Sequence, residues 1–149
     1  MRYVASPVLG AFILLLSACS PDAQIGAFGL RTVDLNVGGT PVKVEVADTP
    51  QSLENGLMYR ATLPEEQGML FILGPAEQAS FWMKNTKIPL SIGFIDGHSI
   101  LKEERDMQPF DEHLTRSATN DICYALEVNQ GWFRKHHIDP GVKVTGIPR

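Results

Sequence analysis

Thr32-Val33-Asp34-Leu35-Asn36-Val37-Gly38-Gly39-Thr40-Pro41-Val42-Lys43-Val44-Glu45-Val46 decides the fold class. Val33, Leu35 and Val37 alternate with Thr32, Asp34 and Asn36, and beyond the glycines Val42, Val44 and Val46 alternate with Lys43 and Glu45. A period of two is the signature of a strand with one buried face. Gly38-Gly39 between two such runs supplies the positive φ angles of a tight hairpin. The folded unit therefore starts near Leu30 with two antiparallel strands.

Working outward, Asp48-Thr49-Pro50 offers an N-cap followed by an early-helix proline, and Leu53, Gly56, Leu57 and Arg60 share one side at helical spacing. One short helix is predicted there. The apolar run Met69–Leu73 follows a turn and closes at Gly74-Pro75. Further strands are predicted over Ala79–Asn85, Leu90–Asp96, Ser99–Glu104 and Ile122–Val128, with Asp96-Gly97 as a tight turn. Gly131–His137 suits a last helical turn or two, and Asp139-Pro140-Gly141 redirects the chain into Val142–Ile147. Strands and helices do not alternate in a way that builds a parallel sheet. The expectation is a mainly β single domain over residues 30–149, a β-sandwich or partly closed barrel of seven to eight short strands with one or two short helices.

Composition narrows the function classes. The 149 residues include 13 Lys+Arg against 17 Asp+Glu, a formal charge of −4, and 44% apolar side chains, the profile of one compact domain. The acidic balance and the lack of a basic run argue against a nucleic-acid partner. No stretch of eighteen apolar residues is present to span a bilayer. Two cysteines do not make a disulfide framework. Metal-site spacings, phosphate-binding loops, dinucleotide fingerprints and nucleophile elbows are all missing, so no catalytic residue, metal or cofactor is assigned.

The first eighteen residues read as an address. Arg2 precedes the apolar stretch Val8–Leu16, and Leu16-Ser17-Ala18-Cys19 resembles the lipobox of bacterial lipoproteins. On this reading residues 1–18 are a lipoprotein signal peptide, Cys19 is the lipidated mature N-terminus, and residues 19–29 are a flexible tether. Several acyl chains at ~0.8 kcal/mol per buried methylene hold a protein firmly on a bilayer. The expected location is the bacterial cell envelope, facing the periplasm, with Ser20 after Cys19 pointing to the outer membrane. Cys123 is then unpaired and is expected to be a buried, inert thiol.

Several blocks in order carry a family resemblance: Gly56-Leu57-Met58-Tyr59-Arg60, Gly68-Met69-Leu70-Phe71, Phe81-Trp82-Met83-Lys84-Asn85-Thr86, Ile88-Pro89-Leu90 with Phe94-Ile95-Asp96, and Leu126-Glu127-Val128 with Gly131. Together they resemble the family catalogued as domain of unknown function 192 over most of Val42 to Ile147. The resemblance implies a compact β-rich domain, often exported in bacteria, and brings no assigned activity with it. The family usually places Asp after Ile-Pro-Leu, whereas this chain has Ser91.

Phe81–Thr86 is the segment richest in binding chemistry. Read as a strand, it sets Phe81, Met83 and Asn85 on one face and Trp82, Lys84 and Thr86 on the other. Trp82 with Lys84 suits either a pocket wall for a small polar or anionic ligand or a cover over a sheet edge. Arg60 suits an anion clamp or a structural ion pair with Glu127, and the ion pair is favoured because a half-buried carboxylate needs a partner. Arg60, Trp82, Lys84, Asn85 and Glu127 are thus the candidate binding residues, for a small polar or anionic ligand or a protein partner. Alternatives are an enzyme acting on envelope saccharides or peptides with Glu127 or Asp96 as acid/base, a structural lipoprotein, and a Cu(I) site built from Met58, Met69 and Met83.

Overall fold

The computed structural model describes Gly26 and residues 28–148. The expected signal peptide 1–18, Cys19 and most of the 19–29 tether lie outside the described residues.

The hairpin forms in the expected register. β1 (Thr32–Val37) and β2 (Thr40–Ala47) pair antiparallel with Val37 opposite Thr40. Gly38 and Gly39 take φ of 58° and 101°, and Asn36 Oδ1 accepts the Gly39 amide at 2.8 Å. The chain continues through α1 (Pro50–Asn55), β3 (Gln67–Glu77), β4 (Ser80–Phe81), β5 (Leu90–Asp96), β6 (Leu101–Met107), β7 (Thr115–Arg116), β8 (Ile122–Asn129), α2 (Trp132–Lys135) and β9 (Val144–Thr145).

Seven strands form one sheet in the order β6-β5-β8-β3-β2-β1-β9, while β4 and β7 make a separate two-stranded ribbon. The large sheet curls into a half-barrel. Its two edges meet at one end: the Leu101 amide donates to Val142 O at 2.9 Å and the Val144 amide to Ser99 O at 2.8 Å, while Val144 pairs with Val37 on β1. Partial closure removes part of the open edge that a flat sheet would expose.

Both faces of the sheet are covered. One carries Leu35, Val44, Leu70, Leu126 and Val128 beneath Trp132 and Phe133 of α2. The other carries Met69, Phe71, Ile92, Phe94 and Ala125 beneath Leu57, Ala79, Met83 and Ile88. Every residue of β5 is consequently buried. Gly93 on β5 marks where α2 presses closest, since a Cβ there would stand 2.7 Å from Phe133 Cζ.

The structure departs from the sequence expectation in several places, and the unpredicted β7 brings the strands among the described residues to nine instead of seven or eight. β2 and β3 run parallel, with Glu45 opposite Met69, because residues 48–66 with α1 form a crossover long enough to return the chain in the same direction. β3 does not stop at Gly74-Pro75: Gly74, at φ 100°, absorbs an irregularity and Glu77 resumes pairing with Ile122. The helix ends at Asn55 rather than reaching Arg60. Residues 82–86 are irregular instead of strand, with a turn at Lys84-Asn85 and Asn85 at φ 54°.

Candidate functional site

The site is built where α1 stops. Thr49 caps the helix: its Oγ1 accepts the Ser52 amide at 3.2 Å, and Ser52 Oγ accepts the Thr49 amide at 3.0 Å. This reciprocal pair satisfies two helix-end donors. Gly56 ends the helix at φ 46°, ψ −129°, a conformation open essentially to glycine. Glycine is needed for a second reason, because a Cβ at this position would lie 3.1 Å from Phe71 Cζ and 3.9 Å from Glu127 Oε2. The chain therefore passes directly by the Glu127 carboxyl.

Beside that crossing is a cavity of about 460 Å³. Leu53, Leu57, Phe71 and Phe81 give it an apolar wall, Trp82 stands at it half exposed, and Glu127 contributes its carboxyl. Phe71 and Phe81 meet edge to face with centroids 5.0 Å apart, which fixes the ring geometry. Glu54 and Glu77 also line the cavity, and no Lys, Arg or His does among the described residues.

Glu127 sits on β8 between β3 and β5, opposite Met69 on one side and Ile92 on the other. It is 4% exposed, and among the described residues no side-chain or backbone group hydrogen-bonds its carboxyl. Burial pushes its pKa up to about 8, against a smaller lowering by the Arg60 charge. At neutral pH the group is mostly a neutral acid whose O–H is available as a donor.

The expected Arg60–Glu127 ion pair does not form. Arg60 Nη1 and Nη2 donate to Glu45 Oε1 and Oε2 at 2.8 and 2.7 Å, and both residues are buried. The parallel β2–β3 pairing, which the sequence reading lacked, is what sets Glu45 on the covered face. Phe28 lies over the guanidinium, 3.9 Å from ring centroid to Cζ. Arg60 is thereby committed to Glu45 and lines neighbouring clefts, not the Glu127 cavity.

Of the five residues predicted as a site, Trp82 and Glu127 share the cavity. Lys84 stands over the Trp82 ring at 5.0 Å and is exposed. Asn85 Nδ2 donates to Tyr59 Oη at 2.7 Å while its carbonyl accepts the Tyr59 amide at 2.9 Å, so it ties two loops together. Met69 and Met83 are core residues, and Met58 is half-buried on the cavity wall. Asp96 closes a turn, its Oδ1 accepting the His98 and Ile100 amides at 2.9 Å each. Cys123 is half-buried, and burial followed by Asp96 and Asp121 raises its thiol pKa. Among the described residues no group of three or more His, Cys, Asp and Glu side chains is placed to hold a metal ion, and no helix is long and apolar enough to cross a membrane. Sequence reasoning missed Glu45, Phe81 and the acidic wall. The alternation of Val44 and Val46 with Glu45 gave no sequence signal that the Glu45 face is covered; its burial shows only in the folded chain, where Val44–Ala47 are all buried.

The stretch from the Gly56 crossing through Trp82 to Glu127 lies inside a region that matches a known family. The DUF192 profile, described as an uncharacterized ACR, matches residues 33–146. The chain belongs to the DUF192 family. A crystal structure of a protein of unknown function from Novosphingobium aromaticivorans is 33% identical, with a TM-score of 0.75 over 91% of this chain and 99% of that one. A proposed transcription regulator from Sinorhizobium meliloti is 29% identical, with a TM-score of 0.75 over 78% of this chain and 95% of that one. No functionally curated protein matches the chain.

Proposed function

We propose that this DUF192 domain is an exported, lipid-anchored binding module that takes a small uncharged molecule into the Glu127 cavity. The observation that carries the reading is the buried Glu127 carboxyl, without a hydrogen-bond partner among the described residues, at the wall of an apolar cavity of about 460 Å³. A neutral acid in a low-dielectric pocket lacks only an acceptor, and a bound carbonyl or hydroxyl supplies it. Phe81 and Trp82 offer flat faces for the apolar body of such a molecule. Glu54 and Glu77 disfavour an anion, so the ligand class is narrower than the polar or anionic one expected from sequence.

Benzamide, benzoate and benzylamine, matched in size and different in charge, test this reading by NMR titration of the domain. Benzamide should shift the Trp82 indole and Gly56 amide resonances, benzoate should not, and W82A should weaken the benzamide response. Benzoate binding as well as benzamide, or shifts elsewhere on the surface, overturns the reading.

The anchor rests on Leu16-Ser17-Ala18-Cys19, and Ser20 supports the outer membrane. Cells fed an alkyne-tagged palmitate should label the wild-type chain and not Cys19→Ala, and the label should fractionate with the outer membrane. Unlabelled wild-type chain overturns this part.

A second reading is favoured by one observation. A carboxyl with pKa about 8 is in the range of a general acid, so Glu127 suits proton donation to a leaving group of an envelope saccharide or peptide. E127Q separates the two readings: retained benzamide binding with loss of any turnover identifies the acid.

A further inference from the structure

The large apolar side chains exposed among the described residues are Phe28, Tyr59, Trp82, Phe110 and Leu114, and they are linked in space. Phe28 and Tyr59 line one cleft with Met58. Met58, Trp82 and Thr86 line the Glu127 cavity next to it. Tyr59 is tied to Asn85, and the Phe110 amide donates to Thr86 O at 3.0 Å. Leu114 precedes Thr115, which pairs with Phe81 beside Trp82.

These tips are held out by the backbone. Tyr59, Asn85 and Phe110 sit at φ of 63°, 54° and 62°, a region that non-glycine residues rarely adopt. Main-chain hydrogen bonds between the loops keep them there. Conformational strain retained at an exposed aromatic cluster points to use of that cluster. Lys84 over Trp82 adds a cation at the same rim.

We infer that this aromatic rim is the face on which the domain rests against its bilayer. The inference rests on the lipid-anchor reading above. From Cys19 to Gly26 the chain advances seven residues, which span about 25 Å at most. A domain of this size is about 35 Å across. Gly26 is fixed on the domain, its amide donating to Leu30 O at 2.7 Å, and a Cβ there would press on the Glu45 side chain. The short reach therefore turns the face bearing Phe28 toward the lipid. Tyr and Trp with flanking Lys are the side chains that settle at a headgroup interface, ring inward and polar tip outward. The Trp82 wall of the Glu127 cavity is then at headgroup level.

The test couples Cys19 of the mature chain, carrying Cys123→Ala, to a maleimide lipid in phosphatidylethanolamine–phosphatidylglycerol vesicles. Trp132 is 2% exposed in the core, which leaves Trp82 as the surface reporter. Trp82 emission should move to the blue and be quenched by brominated lipids, and W82F should remove that quenching. Tyr59→Ser with Phe110→Ser should abolish most of it. Emission identical in tethered and free protein, or quenching undiminished in the double variant, overturns the inference. The chemical coupling makes either result independent of acylation in cells, so failure of palmitate labelling overturns the anchor reading separately.

Discussion

Arg60 and Glu45 form a buried bidentate pair, 2.8 and 2.7 Å long, and Glu127 is left outside it. Removing one partner of such a pair strands the other charge in a dry site, whereas removing both relieves the desolvation cost. E45Q should therefore destabilise the domain by about 3 kcal/mol in urea denaturation. The double variant Glu45→Leu with Arg60→Met should recover most of that loss. A double variant as unstable as the single one overturns the account.

Glu127 sets a pH dependence of opposite sign to that of an ordinary carboxylate. Its folded pKa, about 8, lies above the unfolded value of 4.5, so the folded state binds the proton more tightly. Stability is full below about pH 4.5 and is lost as pH rises toward 8, with a slope of at most about 1.4 kcal/mol per pH unit. E127Q should flatten the stability profile between pH 5 and 8 and match or exceed the wild type at pH 8. Parallel profiles for the two proteins would show that Glu127 is ionised in the folded state.

How far the sequence carried is clear from particular residues. The hairpin about Gly38-Gly39, β5 and β8 were legible because their signals are local: a turn dipeptide or a period-two run. The parallel β2–β3 pair was not, since register between strands separated by a crossover is a property of the assembled sheet. Everything that followed from it was hidden too, including the Arg60–Glu45 pair. In the site, Trp82 and Glu127 stood out as residue types whose environments needed explaining. Lys84 and Asn85 were grouped with them by a strand reading of residues 79–85 that the turn at Asn85 undoes.

Gly56 joins fold and site in one residue. Ala at this position meets a backbone conformation that L residues avoid and an approach of 3.1 Å to Phe71 Cζ. G56A should cost about 2 kcal/mol in thermal or chemical denaturation. It should also reduce benzamide binding in the folded fraction, because the new methyl enters the space beside Glu127. Asn55→Ala, one residue earlier and exposed, should change stability by about 0.5 kcal/mol or less. Equal losses from both substitutions would remove the special role given to Gly56.

Ser91, which follows Ile88-Pro89-Leu90, is held between two polar partners. Ser91 is fully buried; its Oγ donates to Asp106 Oδ1 at 2.5 Å and accepts the Gly131 amide at 2.8 Å. The carboxylate that Ser91 meets comes from across the β5–β6 ladder, where Ser91 and Asp106 are direct register partners. Asp106 lies 3.7 Å from Arg134 of α2, so the hydroxyl links the sheet edge to the start of that helix. S91A should cost about 1–3 kcal/mol by leaving the Gly131 amide unsatisfied. S91D should cost about 3 kcal/mol at neutral pH, since a buried carboxylate would then face Asp106. Combining S91D with D106S exchanges the two groups and should restore most of the stability, giving a favourable coupling energy in a double-mutant cycle. Additive losses in that cycle would mean that the two positions do not trade the acid.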